Sequence, residues 1–267
     1  MFENPVKQKL ARGQAVWGAH CGVADEFANQ LTISTGIDFL WIDTEHSTFG
    51  LDDVRTVPVL ARQNGCMPMI RVAGLDPNLI KKALDLGASA IMVPQVNNAE
   101  EARLAVRASK YPPQGTRGVS PLWTFYSNIP WAEYLPNANN ETCVVLQVES
   151  LEGMRNVEAI AGVEGVDVVF AGPADLSAAM GIIGQTSHPK LKSFLAELPE
   201  RVGAMGKAAG MSVGTVEEAT ELFHLGYRFV SFGSLLFSGV NGLVRDLKQL
   251  RALSTAGDGE LGAARAR

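Results

Sequence analysis

CVVLQVESLEGMRNVEAIAGVEGVDVVFAGPAD, residues 143–175, holds the whole fold in miniature. Cys143 to Val148 is a short apolar, β-branched run. LEGMRNVEAIAG then spaces its apolar residues at helical intervals and closes on Gly162, and Val166 to Phe170 reads as a strand again. The same alternation extends in both directions. Strands are expected at Ala15–Ala19, Phe39–Asp43, Met67–Val72, Ala90–Val93, Cys143–Val148, Val166–Phe170, Met211–Val213 and Phe229–Phe232. Helices are expected in ADEFANQLTIST, DPNLIKKALDLG, NAEEARLAVRASK, HPKLKSFLAELPERVGAMGKAAG, VEEATELFHLG and SGVNGLVRDLKQLRAL. Asp76-Pro77 opens one of them with an N-cap and a first-turn proline, and Gly87, Gly162, Gly210 and Gly226 close others. Eight strand-helix units predict a (β/α)8 barrel over residues 1–253, with 254–267 as a flexible tail. A doubly wound nucleotide fold lacks support, since neither GxGxxG nor GxxxxGK[ST] occurs. Residues 111–140, rich in Pro, Asn and aromatics, read as a long functional loop.

The 267 residues, 46% of them hydrophobic, suffice for one large core. A formal charge of -5 without a basic block speaks against nucleic acid or an anionic membrane as partner. No apolar run reaches 18 residues and MFENPVKQKL lacks a signal-peptide core, so a soluble cytoplasmic protein acting on small molecules is expected. Cys21, Cys66 and Cys143 are too widely spaced for a thiolate cage or a disulfide framework. The four histidines form no HxH or HExxH pair.

In a barrel of this kind chemistry sits where strands end. Asp43, Glu45 and His46 follow the second strand, Arg71 ends the third, Gln147 and Glu149 share a face of the fifth, and Asp175 lies beyond the sixth. An inward carboxylate at the mouth is costly unless a cation or donor satisfies it. Glu149 and Asp175 together suit a hard divalent ion, although an Asp at a strand end also serves as a turn former. No lysine falls on a strand, which disfavours Schiff-base aldol chemistry, and the absence of GxSxG disfavours a serine hydrolase.

DTEH (43–46), RV (71–72), LDLGA (84–88), YPPQGTRG (111–118), QVE (147–149) and GPADLSAAMG (172–181) resemble the HpcH/HpaI family of class II, divalent-metal-dependent pyruvate aldolases, and the likeness spans Asn4 to about Leu253. The resemblance implies a barrel of the phosphoenolpyruvate/pyruvate type with an exchanged C-terminal helix, assembled as a hexamer, a trimer of dimers. It implies cleavage of a 4-hydroxy-2-oxo acid to pyruvate and an aldehyde with Mg²⁺, Mn²⁺ or Co²⁺ and no organic cofactor. By the same resemblance Glu149 and Asp175 are metal ligands, Arg71 contacts the keto oxygen, and His46 is the acid-base group paired with Asp85. Gln147 lines the pocket, Gly172, Pro173, Ala174 and Asp175 receive the substrate carboxylate, and Asp43 orients the metal's water shell; Ser212, which stands where the family pattern has a leucine, is also expected to line the pocket.

Asp85 ends a helix that runs back toward the far rim, so it reaches a metal site only from a neighbouring copy; otherwise it caps its own helix. Glu45 is read as a loop brace. His20, Gly210-Met211-Ser212 and Val119–Tyr126 depart from the family pattern, and all three are expected around the aldehyde half of the pocket. Two other readings stay open: an acyl-CoA lyase of the sister group, and a barrel that binds metal and 2-oxo acid without turnover.

Overall fold

The computed structural model describes residues 4–265. Eight parallel strands, β1 (Val16–His20), β2 (Phe39–Asp43), β3 (Met67–Arg71), β4 (Ala90–Val93), β5 (Cys143–Val148), β6 (Val168–Ala171), β7 (Ala208–Val213) and β8 (Phe229–Ser234), close in chain order into a barrel. β8 pairs with β1 to complete the ring. The expected (β/α)8 architecture is therefore present.

Strand parity sorts the core into two shells. Val16, Phe39, Trp41, Met67, Met69, Ala90, Met92, Cys143, Val145, Val168, Phe170 and Phe229 pack together inside the barrel. Their strand neighbours, among them Leu40, Ile42, Ile70, Ile91, Val144, Leu146, Val169 and Val230, meet the surrounding helices. The large inner rings depend on small neighbours: a Cβ on Gly18 would sit 2.2 Å from the Phe39 ring, and one on Gly210 would sit 2.6 Å from that of Phe170. Phe39 and Phe229 stack at 4.1 Å across the space so cleared. Following the same parity upward, His20, Asp43, Arg71, Gln147, Ser212 and Ser231 form the inward layer at the mouth.

The opposite rim is closed by the helix Pro5–Ala11. Asn4 caps it by accepting from the Val6 and Lys7 N–H groups, and its amide donates to the carbonyls of Ser89 and Glu141.

The sequence reading needs three corrections. Residues 111–140 are not one loop but carry the helices Trp123–Tyr126 and Trp131–Glu141, which bury Tyr111, Trp123, Tyr134 and Ala138 as a small core of their own. Arg62 stacks on Trp123, pairs with Glu141 and donates to Gly87 O, so this unit lies at the base of β4 and β5. That places Val119–Tyr126 on the rim opposite the mouth of its own barrel. The helix before β7 ends at Gly203, and Gly206, with φ 71°, turns the chain early enough for β7 to begin at Ala208. The last helix runs from Leu235 to Arg265, through most of the stretch read as a tail.

Candidate active site

Arg71 organises the mouth. Its Nε and Nη2 donate to the two carboxylate oxygens of Asp43 at 2.8 and 2.5 Å, and its Nη1 lies 3.1 Å from Glu45 Oε2. The guanidinium also covers the Trp41 ring at 4.8 Å. Two of its five N–H groups are hydrogen-bonded to Asp43, and the Nη1 side, which meets Glu45 only as an ion pair, keeps N–H groups for a ligand. The register is local in origin: Asp43 pairs directly with Arg71 in the β2–β3 ladder. Thr44 then donates to the Arg71 carbonyl through both its N–H and its hydroxyl.

Asp43 also accepts from the Glu45 and His46 N–H groups at 3.0 and 3.4 Å, which folds the DTEH turn over the strand end. Burial pushes its carboxyl up, but the Arg71 hydrogen bonds and charge together with those N–H donors hold it below the ordinary carboxylate value. Glu45 is held above its ordinary value, mainly by burial, with the Asp43 and Asp175 charges adding and Arg71 and His46 opposing. Glu45 Oε2 lies 3.8 Å from His46 Nε2, and the His46 side chain is 66% exposed. Glu45 is thus an ionic neighbour of both Arg71 and His46, a more direct position than the loop brace read from sequence.

On the other side of Arg71, Glu149 follows β5. Its Oε1 accepts from Gln147 Nε2 at 2.9 Å and its Oε2 from the Gln95 N–H at 3.0 Å. Burial, with the Asp175 and Glu45 charges adding, pushes the Glu149 carboxyl up to about 7. Gly172 makes room for it, since a Cβ there would stand 2.6 Å from Glu149 Oε1. We expect Gly172→Ala to displace this carboxylate and weaken divalent-ion binding by about tenfold or more; a calorimetric Mn²⁺ titration matching wild type would count against that. Asp175 sits in the first turn of the helix Pro173–Ala179 and is exposed.

Asp43, Glu45 and Glu149 thus feel the charge of one guanidinium, and the Asp175 charge acts on Glu45 and Glu149. The donors are oxygens, burial and the neighbouring carboxylates hold the Glu149 carboxyl up, and the buried Gln147 Oε1 lacks a hydrogen-bond partner. This chemistry fits a hard cation that keeps some of its waters. No cage of three or more His, Cys, Asp or Glu side chains converges among the described residues; the residues that the family resemblance implies as ligands are Glu149 and Asp175.

His20 ends β1 on the far side of the mouth, stacked on Trp41 at 4.2 Å with Nε2 3.4 Å from Ser212 Oγ. Burial lowers its pKa to about 4; Asp43 opposes the shift and Arg71 adds to it. The imidazole is neutral at physiological pH. Two of the three departures from the family pattern therefore touch each other, whereas Val119–Tyr126 lies at the other rim. Asp85 lies there too, half-buried at the end of the helix Pro77–Asp85 and 2.8 Å from Arg117. Burial raises its carboxyl, opposed by Arg117. Within one chain Asp85 and His46 do not meet.

Residues 22–241 match the family model described as HpcH/HpaI aldolase/citrate lyase. The chain belongs to that family. It is an aldolase, a carbon–carbon lyase. Among its relatives, a hydroxypyruvate/pyruvate aldolase of Pseudomonas aeruginosa is 40% identical over 254 residues, covering 92% of this chain and 91% of its own. A 4-hydroxy-2-oxo-heptane-1,7-dioate aldolase of Escherichia coli is 38% identical over 235 residues, covering 87% of this chain and 89% of its own. The crystal structure of an HpcH/HpaI aldolase/citrate lyase family protein of Burkholderia cenocepacia superposes with a TM-score of 0.86 at 30% identity, covering 93% of this chain and 99% of that one.

Trp41, which supports both Arg71 and His20, was open to sequence reasoning, because it shares strand parity with Phe39 and Asp43. Gln95 carried no such signal: nothing in VPQV announces that its N–H turns toward Glu149.

Proposed function

We propose that this aldolase cleaves a 4-hydroxy-2-oxo acid to pyruvate and an aldehyde, and runs the reverse addition. The observation that carries the reading is the juxtaposition, inside one barrel mouth, of the Arg71–Asp43–Glu45 ion cluster with the Glu149 and Asp175 carboxylates. A divalent ion held by Glu149 and Asp175, Mg²⁺, Mn²⁺ or Co²⁺, supplies Lewis-acid polarisation of the 2-oxo acid when bound.

Arg71 directs N–H groups that Asp43 does not hold at the keto oxygen, where negative charge grows as the C3–C4 electron pair becomes the enolate double bond. Because Asp43 holds one edge of the guanidinium by two parallel hydrogen bonds, that aim is set before substrate arrives. His46 takes the C4 hydroxyl proton, directly or through a water, as C4 becomes the aldehyde carbonyl. A proton then returns to C3 and completes pyruvate. The substrate carboxylate is assigned to the turn Gly172-Pro173-Ala174-Asp175, whose first N–H groups have no acceptor within their helix. Gln147 and Ser212 line the pocket, and Asp43 and Glu45 order the surroundings of the ion.

The exposure of His46 supports an oligomer in which a neighbouring copy covers it and brings Asp85 to it. Leu236, Val240, Leu243, Leu247 and Leu250, spaced by three and four on the last helix, leave an exposed apolar stripe suited to a second copy. A hexamer built as a trimer of dimers with exchanged final helices accounts for both features. No helix among the described residues is long and apolar enough to cross a membrane, in keeping with a cytoplasmic enzyme.

The His20–Ser212 pair gives the aldehyde side of the mouth a polar wall, which favours aldehydes that carry a hydroxyl or other hydrogen-bonding group. We expect His20→Trp with Ser212→Leu to shift the ratio of kcat/KM values toward apolar aldehydes by about tenfold or more. An unchanged ratio in competition assays would remove the pair from acceptor selection.

The decisive test is exchange of the pyruvate C3 protons in D₂O, followed by NMR on chelator-stripped protein resupplied with each ion. Metal-dependent exchange that disappears in His46→Ala is expected. Exchange that is independent of metal and of His46 would defeat this reading.

A further inference from the structure

Gln95 belongs to none of the roles assigned above. It follows β4 across Pro94 and holds φ at 54°; among the described residues only Asn128 is another non-glycine with positive φ. A side chain in that region costs conformational free energy and persists only where the surroundings require it.

What this turn accomplishes is visible in its hydrogen bonds. The Gln95 N–H points at Glu149 Oε2, 3.0 Å away, while the next N–H, that of Val96, donates to the Gln147 carbonyl at 2.9 Å. The turn is held in place by Asn97. Its side-chain N–H donates to the Gln95 carbonyl at 2.7 Å, and its Oδ1 accepts from the hydroxyl of Ser150, the residue directly after Glu149. Asn156 donates to the Asn97 carbonyl at 2.8 Å. With Gln147 on Oε1 and Gln95 on Oε2, each Glu149 oxygen has one fixed donor and keeps a lone pair free.

The Gln95 side chain is not what packs here. It is exposed at the edge of a cavity of about 240 Å³ lined also by Glu45, Gly74, Leu75 and Glu101. Among the described residues its amide makes no hydrogen bond. The feature in use is the backbone conformation.

We propose that Gln95 is a positioning residue whose left-handed backbone aims an N–H at Glu149 and fixes that carboxylate in the orientation that holds a divalent ion. The inference rests on the metal-ligand reading of Glu149. An extended or helical Gln95 would turn the N–H away and leave Oε2 free to swing, and donors of this kind around a ligand commonly tune metal affinity by about 10- to 100-fold.

The test is Mn²⁺ titration, by calorimetry or by the EPR signal of free Mn²⁺, on wild type, Gln95→Gly, Gln95→Ala, Gln95→Val and Glu149→Gln, with melting curves of the metal-free proteins alongside. Gly keeps both the N–H and the positive φ, so its affinity should stay within about threefold of wild type, whereas Val, which resists positive φ, should lose about tenfold or more. Should Gln95→Val fail to fold, Gln95→Ala carries the comparison with a smaller loss of the same sign. A lowered melting temperature with unchanged Mn²⁺ affinity would mean that Gln95 braces the loop and nothing more, and overturns the proposal. An equal loss in Gln95→Gly would place the effect in the side chain and overturn it as well. If Glu149→Gln binds Mn²⁺ as tightly as wild type, the metal reading itself falls and takes this inference with it; if only Glu149→Gln loses binding, Gln95 alone is removed.

Discussion

Glu149→Gln should lower kcat/KM by about a thousandfold or more and abolish divalent-ion binding, while raising the melting temperature of the metal-free protein. The activity loss follows from halving the charge that Glu149 and Asp175 offer a cation. The stability gain follows from burial, reinforced by the Asp175 and Glu45 charges, which raises the Glu149 carboxyl from 4.5 to about 7 in the folded chain. In the unfolded chain the group ionises near its ordinary value. Above about pH 7 the folded protein therefore carries a buried charge it disfavours, and a neutral amide of the same shape relieves a few kcal/mol at most. The amide oxygen can still accept from Gln95 N–H, and a flipped Gln147 can accept from the new NH₂. Melts in chelator at pH 8 and pH 4 test the sign: the gain should be present at the higher pH and absent at the lower. The same shift gives wild type a pH-dependent metal affinity. Below about pH 7 the ion must displace a proton, so affinity should fall roughly tenfold per pH unit and level off above it. Calorimetry showing a flat profile from pH 5.5 to 8 would contradict this.

Arg71→Ala should damage activity and stability together. It strips the bidentate partner from Asp43 and the ion pair from Glu45, whose side chains are only 14% and 13% exposed. Leaving buried carboxylates unpaired costs on the order of 3–5 kcal/mol, and losing the keto-oxygen donor costs about a thousandfold in kcat/KM. Mn²⁺ affinity should hold or rise, because a positive charge beside the cation has gone. Arg71→Lys keeps the charge but gives up the bidentate grip on Asp43, so it should fall between wild type and Ala in kcat. Comparable losses of Mn²⁺ affinity and kcat in Arg71→Ala would show that Arg71 acts through the metal site rather than on substrate.

The barrel was legible in the chain because its signals are local. Runs such as Cys143–Val148 and the helix that ends at Gly162 report their type through periodicity and punctuation alone, and eight repeats leave little choice of architecture. The strand ends likewise put Asp43, Arg71 and Gln147 at the mouth from the chain alone, and parity put Gln147 and Glu149 on one face. Where the signal was weak the reading failed: Trp123–Tyr126 and Trp131–Glu141 lie among prolines and asparagines, and their helicity comes from packing Trp123 and Tyr134 beneath Arg62.

Tertiary structure alone decided which groups meet. Glu45 on Arg71, His20 against Ser212 across 192 positions, and Gln95 on Glu149 across 54 are through-space pairs that no spacing rule encodes. Barrel closure brings β7 next to β8 and β8 next to β1, and that ring, not chain proximity, carries Ser212 to His20. The sequence by itself determined the barrel and the residue types at its mouth, because both follow from short-range pattern. The ion pairs, the perturbed carboxyl of Glu149 and the turn at Gln95 came only from the closed fold, because desolvation and charge coupling depend on what surrounds a group in space.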